Sequence, residues 1–225
     1  MIESKDVCLR YTDGTMALKD INLSVDAGEM VYITGVSGSG KTSLLKLFMG
    51  VEFPTTGSLN VLGHNMTKGN SSNIRKLRTR IGPVFQEFRL IKGRTALDNV
   101  MLGMRFLDLS PSLIREAAND ALVKVGLKHK LLSPVENLSW GEGQRVAIAR
   151  AVARKPSLIL ADEPTGNLDK DNALNILELL ASFKDDNTSV IITTHATHLI
   201  EYEDYDKLIQ MNGGNIYSES LGEAK

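Results

Sequence analysis

Eight consecutive residues, Gly35 to Thr42 (GVSGSGKT), fit the pattern G-x-x-x-x-G-K-[ST] without departure. Glycines so placed let backbone N–H groups wrap an anion without side-chain clash, which is the chemistry of a phosphate cradle. Gly35, Ser37, Gly38, Ser39 and Gly40 make the loop. Lys41 can reach β- and γ-phosphate oxygens, and the Thr42 hydroxyl can ligate Mg²⁺. Ser43 leads into an expected helix (LLKLFM) whose positive end points at the same anions.

Such a loop needs an acidic strand end to hold the metal. The run SLILADE supplies one: Leu158 to Ala161 are apolar, then come Asp162 and Glu163. A strand buried on both faces delivers Asp162 to the carboxyl edge of a sheet, where α/β folds bind ligands. Asp162 is therefore expected to hold Mg²⁺ through water, and Glu163 to orient and deprotonate an attacking water.

These groups require a sheet and helices to place them. Short apolar runs alternate with helical patterns, so the chain reads as an α/β fold. Strands are expected at Met30–Thr34, Ser58–Leu62, Ile81–Gln86, Leu158–Asp162 and Val190–Thr194, with a hairpin turning at Asn212–Gly214. Asp169 should cap a helix burying Ala173, Ile176, Leu177 and Leu180. Another helix should start at Ser110-Pro111 and stop at Gly126. Residues 87–156 read as a helical arm inserted in one domain spanning 1–225, since no repeat or linker divides the chain.

Composition narrows the field. With 26 Lys+Arg against 27 Asp+Glu, the formal net charge is -1, which argues against a general grip on nucleic acid. The cluster Arg75, Lys76, Arg78 and Arg80 is short, lacks interleaved aromatics, and reads as a solvated helix face. No apolar run approaches the roughly 18 residues of a membrane span, and the start (MIESKDVCLRYTDG) has no apolar signal region. A single cysteine, Cys8, permits no internal disulfide; a reducing cytoplasm is expected, with Cys8 as a small core residue. The eight methionines read as core filler, and His64, His129 and His198 lack metal-ligand spacing.

Residues 137–169, NLSWGEGQRVAIARAVARKPSLILADEPTGNLD, carry a further set of motifs. Here the chain resembles the ATP-binding cassette (ABC) ATPases. Their signature, L-S-G-G-[QE], corresponds to Leu138, Ser139, Trp140, Gly141 and Glu142; Gln86 matches the Q-loop, Asn167-Leu168-Asp169 the D-loop and His195 the switch histidine. Tyr11 stands where the family places the aromatic that stacks on adenine. The resemblance implies a P-loop NTPase with a RecA-like core, an N-terminal antiparallel β-subdomain and an inserted α-helical signature subdomain.

It also implies Mg²⁺-dependent ATP hydrolysis in a head-to-tail homodimer, with ATP between one subunit's P-loop and the other's Ser139, Gly141 and Glu142. Gln86 then senses Mg²⁺, and His195 contacts the γ-phosphate and positions Glu163. Physically, the signature opens a second helix N-terminus beside a hydroxyl, a second anion site that one subunit cannot easily fold onto its own P-loop. Trp140 in place of a glycine and Gly143 before Gln144 depart from the family pattern, the first with an expected effect on the dimer interface. The segment RIGPVFQEFRL is similar to the family's cell-division ATPases, with lipoprotein-release and macrolide-export ATPases as near relatives. All work beneath a membrane partner, FtsX-like or a permease, so a peripheral position on the inner face of the cell membrane is implied. Glu87, Phe88, Arg89 and Leu90 are candidates for that contact, with Phe88 and Leu90 equally readable as local core. A weakly hydrolysing, nucleotide-gated scaffold stays open because of Trp140. Family members built on long coiled coils do not fit, as no sustained heptads occur.

Overall fold

The computed structural model describes residues 1–201 and 204–222. The chain opens with strands β1 (Ile2–Arg10), β2 (Met16–Val25) and β3 (Met30–Thr34), then helix α1 (Lys41–Phe48). Next come β4 (Thr56–Val61), β5 (His64–Asn65), α2 (Ser71–Thr79) and β6 (Ile81–Val84). Helices α3 (Ala96–Leu102), α4 (Pro111–Lys124) and α5 (Trp140–Val152) follow before the next strand, β7 (Leu158–Asp162). The remainder is α6 (Lys170–Ala181), β8 (Ser189–Thr194), α7 (Thr197–Ile200), β9 (Lys207–Asn212) and β10 (Asn215–Leu221).

Two sheets result. One is antiparallel, in the order β2-β1-β4-β5. The other runs β10-β9-β3-β8-β7-β6, parallel throughout except for the β9–β10 hairpin. The continuous apolar runs of β3, β7 and β8 follow from burial on both faces of this second sheet. Met30, Tyr32, Ile159, Ala161, Val190 and Ile192 face a core shared with α3–α6. Their alternating neighbours Val31, Ile33, Leu158, Leu160 and Ile191 face α1 and the antiparallel sheet.

The helix caps form as their residue types dictate. Ser110 Oγ accepts the Leu113 N–H with Pro111 at the first helical position, and Asp169 accepts the Asn172 N–H. Ala173, Ile176, Leu177 and Leu180 are all buried. The strand expected to run to Gln86 ends instead at Val84, the last residue that pairs with β7; the chain then leaves the sheet.

Cys8 is a correction. Asp6 adopts a left-handed conformation (φ 49°) where the β1 pairings shift register, so the inward positions change from Ile2 and Ser4 to Val7 and Leu9. Cys8 is left half-buried on the opposite side, its Sγ 3.3 Å from the Asp20 N–H it accepts and 3.4 Å from Asp20 Oδ1. Four of the methionines are buried (Met30, Met66, Met104 and Met211). The basic cluster is exposed, and two members have local partners: Arg78 donates to the Met49 and Gly50 carbonyls ending α1, and Arg80 to Leu62 O and Ser157 Oγ.

Candidate functional site

The parallel register sets the site. Thr34 lies opposite Thr194, and Asp162 opposite Thr193, so β3, β7 and β8 end at one edge of the sheet. The residues just beyond them are Gly35, Glu163 and His195. They border an open cleft of about 1150 Å³ together with Tyr11, the loop Gly35–Gly40, Lys41, Thr42, Ser43 and Gln86.

The loop needs glycine at two points for steric reasons. Gly35 has φ 152°, and a Cβ there would stand 2.3 Å from Met211 O and 2.6 Å from Ser39 Oγ. Gly40 has φ 106°, and its Cβ would meet Ala17 O at 2.9 Å. Gly214 N–H donates to Ser39 O at 3.1 Å, so the turn of the β9–β10 hairpin buttresses the loop from behind. Ser39 Oγ is buried and has no hydrogen-bond partner among the described residues, a polar atom left for a ligand of the cradle.

Lys41, 6% exposed, gathers three acceptors: Gly35 O at 2.7 Å, Val36 O at 3.3 Å and Glu163 Oε1 at 3.3 Å. The other oxygen of Glu163 accepts from the His195 backbone N–H (3.2 Å) and lies 2.8 Å from His195 Nδ1. A carboxylate only accepts, so Nδ1 is the donor in this contact. Glu163 is itself left-handed (φ 47°), a conformation held by its N–H donating to Thr193 O at 3.0 Å and Thr193 Oγ1 at 3.2 Å. Beside it, Asp162 Oδ1 accepts from Thr42 Oγ1 at 3.1 Å and from Thr193 Oγ1 at 2.7 Å. A hydroxyl and a carboxylate converging here, with the Gln86 amide on the same cleft, form the hard oxygen donor set that suits Mg²⁺.

Other expected residues lie apart or are otherwise engaged. The Tyr11 hydroxyl shares a hydrogen bond with Ser43 Oγ at 3.0 Å, and Lys46 Nζ stands 5.7 Å over the Tyr11 ring. Ser139, Gly141 and Glu142 do not line the cleft; they open α5. Glu142 and Ser139 form a capping box, each side chain accepting the other's N–H, and Lys130 pairs with Glu142 at 3.3 Å. The Ser139 N–H is the main cause that holds the Glu142 carboxyl below the usual carboxylate range. Phe88 packs on Trp140 with ring centroids 4.5 Å apart, and Leu90 packs against the core, so of the four residues after Gln86 only Glu87 and Arg89 are exposed.

Two participants escaped the motif reading. Thr193 ties Asp162 to Glu163 from the neighbouring strand, and its only sequence signal was a position two residues before His195. Residues 212–214 read as a turn and no more, yet they wall the cleft.

A glycine loop after one parallel strand, with a histidine end on the adjacent strand and an acidic end on the strand beyond it, defines a P-loop nucleotide hydrolase. Residues 18–166 match the ABC transporter family. The chain is 37% identical over 224 residues to the cell division ATP-binding protein FtsE of Streptococcus pneumoniae, covering 99% of this chain and 97% of the other. It is 39% identical over 217 residues to FtsE of Escherichia coli, covering 96% and 97%. It also superimposes with a TM-score of 0.87 on a dimeric ATP-binding cassette in a post-hydrolysis state bound to ADP and Pi, at 32% identity and full coverage of both chains. This chain belongs to the ABC transporter family. It is an ATP-binding cassette, and it hydrolyses ATP with Mg²⁺.

Proposed function

We propose that this chain is the FtsE-like ATPase of a cell-division complex, acting through a separate FtsX-like integral membrane subunit. The observation that carries the enzymatic part is Glu163 bridging Lys41 and His195 at the cleft. In this reading Lys41 and the loop N–H groups hold the phosphates, while Thr42, Asp162 and Gln86 hold Mg²⁺, which neutralises phosphate charge when bound. Glu163 takes the proton of the attacking water, and His195 keeps its carboxylate oriented through Nδ1. Adenine stacks on the Tyr11 face opposite Lys46.

The signature belongs to a second copy's nucleotide. Support comes from Gly141: a Cβ there would meet only Leu168 Cδ2, at 3.9 Å, and its backbone needs no glycine. The reason for a glycine then lies outside the subunit, in the close approach of a partner's γ-phosphate. Ser139 faces that phosphate, and Glu142 acts by holding Ser139 in place. Two such contacts close a two-fold dimer in the ATP-bound state. Gly141→Asp should therefore fold and bind ATP as the wild type does, yet lose at least about tenfold in steady-state ATPase activity through steric block and like-charge repulsion. Activity unchanged in that variant would remove the signature from the site.

No described helix is long and apolar enough to cross a membrane. Glu87 and Arg89 are the exposed side chains next to Gln86 for contact with the membrane subunit. Purification of the tagged chain from detergent-solubilised membranes, with mass spectrometry of what accompanies it, should return an FtsX-like subunit. Recovery of a lipoprotein-release or drug-export permease instead would replace the cell-division reading, and recovery of no membrane protein would overturn both.

A further inference from the structure

Trp140 and Gly143, the two departures from the family signature, meet at one residue. The Phe88 ring lies 4.5 Å from that of Trp140 at an interplanar angle of 59°. A Cβ built on Gly143 would stand 2.9 Å from Phe88 Cδ2 and from Cε2, so the ring occupies the space that any other residue at 143 would fill. The Trp140 indole N–H donates to Gly166 O at 3.1 Å. Gly166 in turn is flanked by the Gln86 amide, whose Nε2 is 3.8 Å from where a Gly166 Cβ would be. Arg150 of α5 donates to Phe88 O and Arg89 O, at 2.6 and 2.8 Å, pinning the same stretch of backbone to the signature helix.

These contacts form one connected path. It runs from Gln86 along the chain to Phe88, across the ring stack to Trp140, and through the indole hydrogen bond to Gly166, which lies beside the Gln86 side chain. A glycine at 140 would remove both the stack and the hydrogen bond. A larger residue at 143 would expel Phe88. The two departures and Phe88 are thus physically one set.

We propose that Phe88 and Trp140, seated on Gly143, are positioning residues for ATP hydrolysis: they lock the segment bearing Gln86, the signature helix bearing Ser139 and the loop at Gly166 into one unit. Any displacement of Gln86 would then carry Phe88 with it. Through the ring stack it reorients α5, and with it the serine offered to the partner's phosphate. Neither side chain borders the subunit's own cleft, so their removal leaves nucleotide affinity alone and slows turnover.

This inference rests on the nucleotide-site reading above, and the test separates the two. Fluorescent-nucleotide titration and steady-state ATPase assays are made on the full chain and on Phe88→Ala, Trp140→Leu, the double variant and Phe88→Tyr. Each single variant is expected to lower kcat about fivefold, with KM and nucleotide affinity within about twofold. The double variant is expected to lose no more than either single one, because one joint is lost in all three. Phe88→Tyr keeps the ring and should keep most of the turnover, which also guards against a failure of Phe88→Ala to fold. Trp140 is the only tryptophan, so its emission should move to the red in Phe88→Ala as the ring loses its cover. Wild-type kcat in Phe88→Ala, or losses that multiply in the double variant, would overturn the joint. Absence of nucleotide binding by the wild-type chain would instead overturn the reading of the cleft.

Discussion

Glu163→Gln should lower ATP turnover by about 10²–10⁴-fold, the usual contribution of a positioned general base, and should trap an ATP-bound dimer. The amide has the shape of the carboxylate but cannot take a proton from water. Its fit can be worked out from the contacts. Oε2 accepts two N–H groups from His195, so the amide oxygen belongs on that side and the amide nitrogen faces Lys41. Two donors then oppose each other, and Lys41 keeps its Gly35 and Val36 carbonyls and turns to phosphate. Nucleotide binding should therefore be at least as tight as in the wild type. Size-exclusion chromatography should show a monomer without nucleotide and a stable dimer with Mg-ATP. Hydrolysis at the wild-type rate would move the base elsewhere. A wild-type chain as slow as the variant would instead favour the nucleotide-gated scaffold.

The parts of this site that the sequence discloses are those carried by contiguous residues. Gly35–Thr42 is a local conformation followed by a helix start, and Leu158–Asp162 announces itself because burial on both faces leaves no polar position in the run. Ser110 and Asp169 are legible for the same reason, since a cap acts within three residues of itself. The facing of β1 was hidden by its own bulge: the left-handed Asp6 breaks the alternation that marks a half-buried strand, and Cys8 was misplaced with it. Thr193, the hairpin turn behind the loop and the Phe88–Trp140 stack were illegible for a different reason. Each acts across the order of strands or between distant segments, which no spacing rule encodes. Glu142 is legible only by its place in a motif, and its carboxylate is committed to the cap of α5.

Lys41→Ala is expected to weaken ATP binding by at least about tenfold, since a hydrogen bond to a charged group contributes about 1.5–3 kcal/mol. Turnover should fall further, by about 10²–10³-fold, because a positioned cation that meets developing charge is lost along with the ground-state contact. The burial of Lys41 gives the substitution a second consequence. Glu163 is 9% exposed and holds its Oε1 against Lys41, so truncation leaves a nearly buried carboxylate with His195 as its remaining partner. Oε1 is then no longer held by Lys41, so Glu163 is less firmly placed to take the proton of the attacking water. Part of the turnover loss in Lys41→Ala therefore belongs to Glu163, and the two substitutions cannot be additive. The double variant Lys41→Ala with Glu163→Gln should therefore be slower than Glu163→Gln alone, but by a smaller factor than Lys41→Ala costs in the wild-type background. Titration with a fluorescent nucleotide and single-turnover hydrolysis on the four proteins of this cycle measure both effects. Losses that multiply would show that Lys41 acts on the phosphates alone, and unchanged affinity in Lys41→Ala would remove it from the phosphate site.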